Sequence, residues 1–191
     1  MQVLTRSQFQ LDLRTITAAQ VARIDLDAIM SLRRFCGQTS KYWSVAQHSM
    51  NVARVVRDLG GDANAQAWAI LHDCHEAYIG DLIRPFLQFL DDGSVASIQK
   101  LCQTIDAAIA ERFRITLDSH TVGLVERADD IVLAAEILAF FAVPSDRILE
   151  IDVVKRHWPL IQYLSLEVME PKIWGKAVDA LWQPANTVGA A

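Results

Sequence analysis

Apolar side chains recur along most of this chain at three- and four-residue intervals, the spacing that gathers them on one face of a helix. The clearest stripe is Val45, Val52, Val55, Val56 and Leu59, with Ser44 placed to cap its start and Gly60-Gly61 to end it. A second helical pattern begins near Asn64 and runs through His72 and Glu76 to Gly80, where a glycine can close a C-terminus, so Asp81 falls just past the end. Pro85 can open or punctuate the next segment, and Asp91-Asp92-Gly93 reads as a turn. Helical spacing resumes over 95–113 and over about 121–141, where Pro144 stops it, and again over 146–158 and 166–182. Residues 1–20 are the least periodic, with a short strand expected over 9–13 and a short helix over 25–32. The pattern predicts an all-α fold, a compact single-domain bundle of six or seven helices. Residues 1–20 would form an N-terminal extension, 21–183 the domain and 184–191 a flexible tail.

With 191 residues, 52% of them hydrophobic, the chain can bury one sizeable core. A formal charge of −5 argues against long nucleic acid, which needs a broad basic face, but leaves room for a single nucleotide held by a local Arg or Lys. Cys36, Cys74 and Cys102 are odd in number and not closely paired, so they read as reduced thiols rather than a zinc ribbon. The N-terminus lacks the apolar run of a signal peptide, and no window approaches the roughly 20 apolar residues that span a bilayer. The expected location is the cytoplasm, without membrane contact.

Ionisable residues interrupt helices that otherwise look buried: His48, the pair His72-Asp73 with nearby Glu76 and Asp81, and the pair Asp129-Asp130. An unpaired buried carboxylate costs several kcal/mol or more, so such residues need a metal, a cation or hydrogen bonds. Imidazoles with carboxylates suit a divalent ion such as Zn, Mn, Co, Fe or Mg. On a regular helix Glu76 lies on the same side as His72 and Asp73, within reach of an ion-bound water, where a general acid or base belongs. Against this stand plainer readings: a hydrogen-bonded core histidine for His48, a turn residue for Asp81 and a packing contact for Glu136. His75 reads as a packing or surface residue, His120 and His157 as loop and solvated-face residues, and Lys41 and Arg84 as weak phosphate candidates.

The segments SVAQHS, LHDCHEAYIGD and ERADD, in that order, resemble the H…HD…D pattern of HD-domain metal-dependent phosphohydrolases. The fuller form HDxxExxxGD is similar to the 5′-deoxynucleotidase branch and to phage dATP triphosphohydrolases. The resemblance implies an HD-type helical fold and a divalent ion (Co, Mn, Zn or Mg) held by His48, His72, Asp73 and Asp129, with Asp130 competing for the fourth place. It implies Glu76 and Asp81 as catalytic and supporting carboxylates. Arg34 matches an arginine on the substrate phosphate, Phe35 replaces a tryptophan beside the sugar, and Gln47 stands where those enzymes carry an acidic residue. The implied activity is hydrolysis of a deoxynucleoside triphosphate or 5′-monophosphate by a homo-oligomer. A non-catalytic nucleotide-binding module and a cyclic-nucleotide or (p)ppGpp hydrolase are the alternatives.

Overall fold

A computed structural model describes residues 2–7 and 10–182. The proposed tail at 184–191, and Phe9 of the expected strand, lie outside the described residues.

Two short strands, β1 (Gln2–Val3) and β2 (Leu11–Asp12), pair antiparallel, with Val3 opposite Leu11. The rest is helical: α1 (Arg23–Leu26), α2 (Val45–Asp58), α3 (Ala63–Leu71), α4 (Glu76–Ile79), α5 (Arg84–Leu87), α6 (Asp92–Phe113), α7 (Ser119–Phe140), α8 (Asp152–Ile161) and α9 (Pro171–Leu181). Six of these exceed two turns, and α1, α4 and α5 are single turns. The protein is an all-α bundle, as the periodicity predicts.

Side chains accepting orphan backbone N–H groups fix most of the long helices' starts. Ser44 accepts from Gln47 N, Asp62 from Ala65 N, Asp91 from Ser94 N and Asp118 from Thr121 N. Asp91 therefore opens α6, and the expected turn at 91–93 is the helix's own entry. Gly61 lets α3 fold back on α2: a Cβ there would sit 2.5 Å from Val56 Cγ1.

The expected single helix from 64 to Gly80 is broken. Beyond Leu71 the bonds shorten to three-residue spacing, Cys74 N to Leu71 O and Glu76 N to Asp73 O, before α4 resumes. Such tight turns eclipse residues three apart, which sets Glu76 above Asp73. Gly80 then takes φ 83° with ψ 165°, a conformation open to glycine that turns the chain away from the helix axis. The last two helices start later than their apolar patterns, at Asp152 and Pro171 rather than 146 and 166.

The core runs between α2, α3 and α7, with α8 against α7 and α9 against α2 and α3. Val52, Val56, Ala69, Leu71, Ile105, Ile109, Val132 and Trp174 are fully buried within it. Among the described residues, no helix is long and apolar enough to cross a membrane.

Candidate metal centre

Helix α2 carries His48 into the core with no solvent exposure. Its Nδ1 lies 2.7 Å from Glu136 Oε1 on α7. A carboxylate can only accept here, so Nδ1 carries a hydrogen, while Nε2 has no hydrogen-bond partner. His72, at the end of α3, repeats the arrangement: Nδ1 lies 2.9 Å from Ala69 O, another acceptor, and Nε2 has no hydrogen-bond partner. The two rings stand 5.6 Å apart.

Asp73 sits between them, with Oδ1 3.2 Å from His72 Nε2 and Oδ2 3.6 Å from His48 Nε2. His48, His72 and Asp73 each offer a ligand atom within 4.8 Å of the others, so this buried group could hold a metal ion. Asp129 on α7 joins through His48, its Oδ1 2.9 Å from Nε2 but not aligned as a hydrogen bond. Two lone-pair atoms approach this closely only with positive charge between them, either a proton on the imidazole or a cation.

The electrostatics agree. Burial and Arg34 pull the His48 pKa down, but Glu136 and Asp129 outweigh them and raise it to about 10. Burial would raise Asp73 and Asp129, yet neighbouring histidines and Arg34 hold both carboxylates below the ordinary range. Beside these positive neighbours the two carboxylates stay ionised.

The two aspartates of α7 have different partners. Asp130 is engaged elsewhere, 3.0 Å from Arg84 and 3.3 Å from Arg156, whereas Asp129 faces His48.

Glu136 is the hub behind the centre. Fully buried, it meets His48, accepts from Trp43 Nε1 at 2.6 Å and from Arg34 Nε at 3.1 Å. The sequence signal for it was a lone carboxylate in an apolar helix, seven residues and two turns beyond Asp129, on the same face.

Arg34, Phe35, Asp73, Glu76, Asp81 and Asp129 all line one cavity of about 560 Å³, together with Arg84 and an apolar wall from Leu133, Ile137, Phe141, Val143, Ile151 and Val153. That wall, drawn from the end of α7 and the segment after it, carries no residue-type signal and went unread in the sequence. Arg34 also lies 3.5 Å from Asp73. Glu76 Oε2 is buried without a partner, and burial with Asp73 and Asp81 pushes its pKa well above the usual carboxylate range. Asp81 accepts from the Phe35 backbone N–H at 3.0 Å. This fastens a turn in which Phe35, Cys36 and Gly37 all have positive φ and which sets the Phe35 ring against Phe141.

Gln47 does not fit its assignment to the substrate side. It is buried outside the cavity lining: Oε1 accepts from Ser44 N in the capping box, and Nε2 donates to Met169 O at 2.8 Å. Both ends of the amide are consumed by packing. His75 is half-buried and pairs with Asp106 at 2.9 Å. It also falls within ligand distance of Asp73 and Glu76, a second group that could hold a metal ion.

No known protein-family profile matches the chain. Over 109 residues it is 30% identical to the uncharacterized protein YfdR of Escherichia coli (strain K12), a match covering 57% of this chain and 54% of that protein. The chain thus spans about half the length of the curated relative it matches.

Proposed function

We propose that the protein is an HD-type, metal-dependent phosphohydrolase acting on deoxynucleotides. The observation that carries this reading is the pair of buried imidazoles, each with Nδ1 hydrogen-bonded and Nε2 bare, turned toward Asp73 and Asp129 at the edge of a nucleotide-sized cavity.

His48, His72, Asp73 and Asp129 would hold the ion, which when bound supplies Lewis acidity toward a phosphoryl oxygen and a water acidified toward neutrality. The remaining roles belong to the chain. Arg34, fixed by Glu136 and Asp73, presents a guanidinium to the phosphoryl oxygens, where negative charge spreads during transfer. Glu76, its pKa pushed well above the usual carboxylate range by burial and by Asp73 and Asp81, would serve as the acid that protonates the leaving oxygen. Asp81 positions rather than reacts, through the Phe35 turn. Phe35, Phe141 and the aliphatic wall offer an apolar surface for base and sugar while excluding water.

Among the described residues, Arg34 and Arg84 are the only cations lining the cavity, against Asp73, Glu76, Asp81 and Asp129. That balance favours a 5′-monophosphate over a triphosphate. The test is a panel of deoxynucleoside mono-, di- and triphosphates with Co²⁺, Mn²⁺, Mg²⁺ or Zn²⁺, scored by release of phosphate against triphosphate. Metal-dependent phosphate release from monophosphates, absent in Asp73→Ala, is expected. Nucleotide binding without any product would instead make the protein a binding module.

A further inference from the structure

The two cations that line the cavity, among the described residues, are held in opposite ways. Arg34 is locked: its side chain is 11% exposed, with Glu136 at 3.1 Å and Asp73 at 3.5 Å, and pulling it away would strand a buried carboxylate. Arg84, at the start of α5, is 58% exposed and lies 3.0 Å from Asp130. Asp130 has a second guanidinium at 3.3 Å, that of Arg156 on α8, and His157 Nε2 lies 3.9 Å away. One carboxylate thus serves two arginines, and Arg84 can leave without unpairing it. Exposed ion pairs are weak, whereas a phosphate offers a guanidinium two charge-assisted hydrogen bonds. The position also fits. Arg84 Nη2 lies 3.7 Å from Asp129 Oδ2, and the other oxygen of that carboxylate is 2.9 Å from His48 Nε2, so a single side chain separates the guanidinium from the candidate metal centre.

We propose that Arg84 is a second phosphate-binding group, which swings from Asp130 to the substrate phosphate while Arg156 keeps Asp130 paired. The proposal rests on the reading of the cavity as a nucleotide site and deepens it: Arg34 is the fixed contact and Arg84 the exchangeable one. Affinity for the anionic end of the ligand then depends on Arg156, which does not line the cavity.

The test titrates the full-length protein, loaded with Mn²⁺, with two probes. One is the phosphonate analogue of dAMP, in which a methylene replaces the ester oxygen and prevents cleavage; the other is 2′-deoxyadenosine, with the same base and sugar but no anion. Arg84→Ala is expected to weaken the phosphonate at least about tenfold and leave deoxyadenosine unchanged. Arg156→Ala, which leaves Arg84 to Asp130 alone, should weaken the phosphonate about two- to fivefold and add nothing in an Arg84→Ala background. Both side chains are more than half exposed, so truncating them leaves the core intact. Four results would overturn the proposal: unchanged phosphonate affinity in Arg84→Ala, equal loss of both probes, an Arg156→Ala effect that is absent or persists without Arg84, or a wild-type protein that binds the phosphonate no better than deoxyadenosine. The expected pattern without phosphate release from dAMP itself leaves the Arg84 site standing and removes only the hydrolase reading.

Discussion

Glu136 Oε1 lies 2.7 Å from His48 Nδ1, and neither side chain has any exposure to solvent. The same carboxylate neutralises Arg34 and receives the Trp43 N–H, so three elements depend on one buried charge. Glu136→Ala is expected to destabilise the fold by about 3–5 kcal/mol, because Arg34 loses a buried partner. The milder Glu136→Gln should keep the fold but weaken metal binding about 10–100-fold, since the amide no longer anchors the imidazole as strongly. Denaturant midpoints and metal titrations of both variants measure this; unchanged affinity in Glu136→Gln would falsify the anchoring role.

On the proposed function, proton and cation would compete for one place between His48 and Asp129. Without metal, the His48 pKa is raised from 6.5 to about 10, so the stability it contributes is complete below pH 6.5 and is lost as pH rises toward 10. Melting temperatures of the chelator-treated protein should therefore fall across that window. Saturating Mn²⁺ or Zn²⁺ should flatten the decline and release protons on binding, which calorimetry in buffers of different ionisation enthalpy detects. Metal binding without proton release at pH 7 would contradict the arrangement.

The proposed function assigns chemistry to Glu76 and ligation to His72. Glu76→Gln preserves shape and removes the proton donor, so the variant should retain its metal while kcat drops about 10²–10⁴-fold. His72→Ala should lose metal and activity together. Metal analysis alongside kinetics distinguishes the two, and metal loss in Glu76→Gln would make that carboxylate a ligand.

Asp129 and Asp130 are neighbours with different partners, His48 for one and Arg84 with Arg156 for the other. Asp129→Ala is expected to abolish tight metal binding, whereas Asp130→Ala should keep the stoichiometry and free Arg84 and Arg156 from their shared partner. Arg84, released at the cavity rim, should then show a changed KM with little change in kcat. Equal metal loss in both variants would count against this division.

Much of the centre was legible because its residue types are costly in a core. Histidines and aspartates inside apolar helices demand a reason, and the resemblance to the H…HD…D pattern picked out His48, His72, Asp73 and Asp129, which the fold brings together. The interruption at 72–75 was not legible, because the shift from four- to three-residue hydrogen bonds depends on packing and leaves no composition signal. Gln47 came to the substrate side only through its place in the resemblance, whereas its amide closes the capping box with Ser44 and donates to Met169 O. His157 was read as solvated, yet its Nε2 is buried 3.9 Å from Asp130, since α8 turns that face onto α7. Helix α6 begins at Asp92, earlier than its apolar pattern at 95, because Asp91 reads as a turn residue until the backbone it caps is known.

The segment before α9 is laced to α2 through Asn51, whose side chain donates to Glu167 O and accepts from Glu167 N, and through Gln47 and Met169. These ties bridge more than a hundred residues of sequence, as does the link between Arg34 and Glu136. During synthesis, then, the helix bearing His48 waits for most of the polypeptide to emerge before its outer flank is covered. A nascent chain halted near residue 130 would own every proposed ligand yet lack Glu136 and the 165–169 brace, so capacity to grip a cation should arrive late and abruptly rather than grow with length.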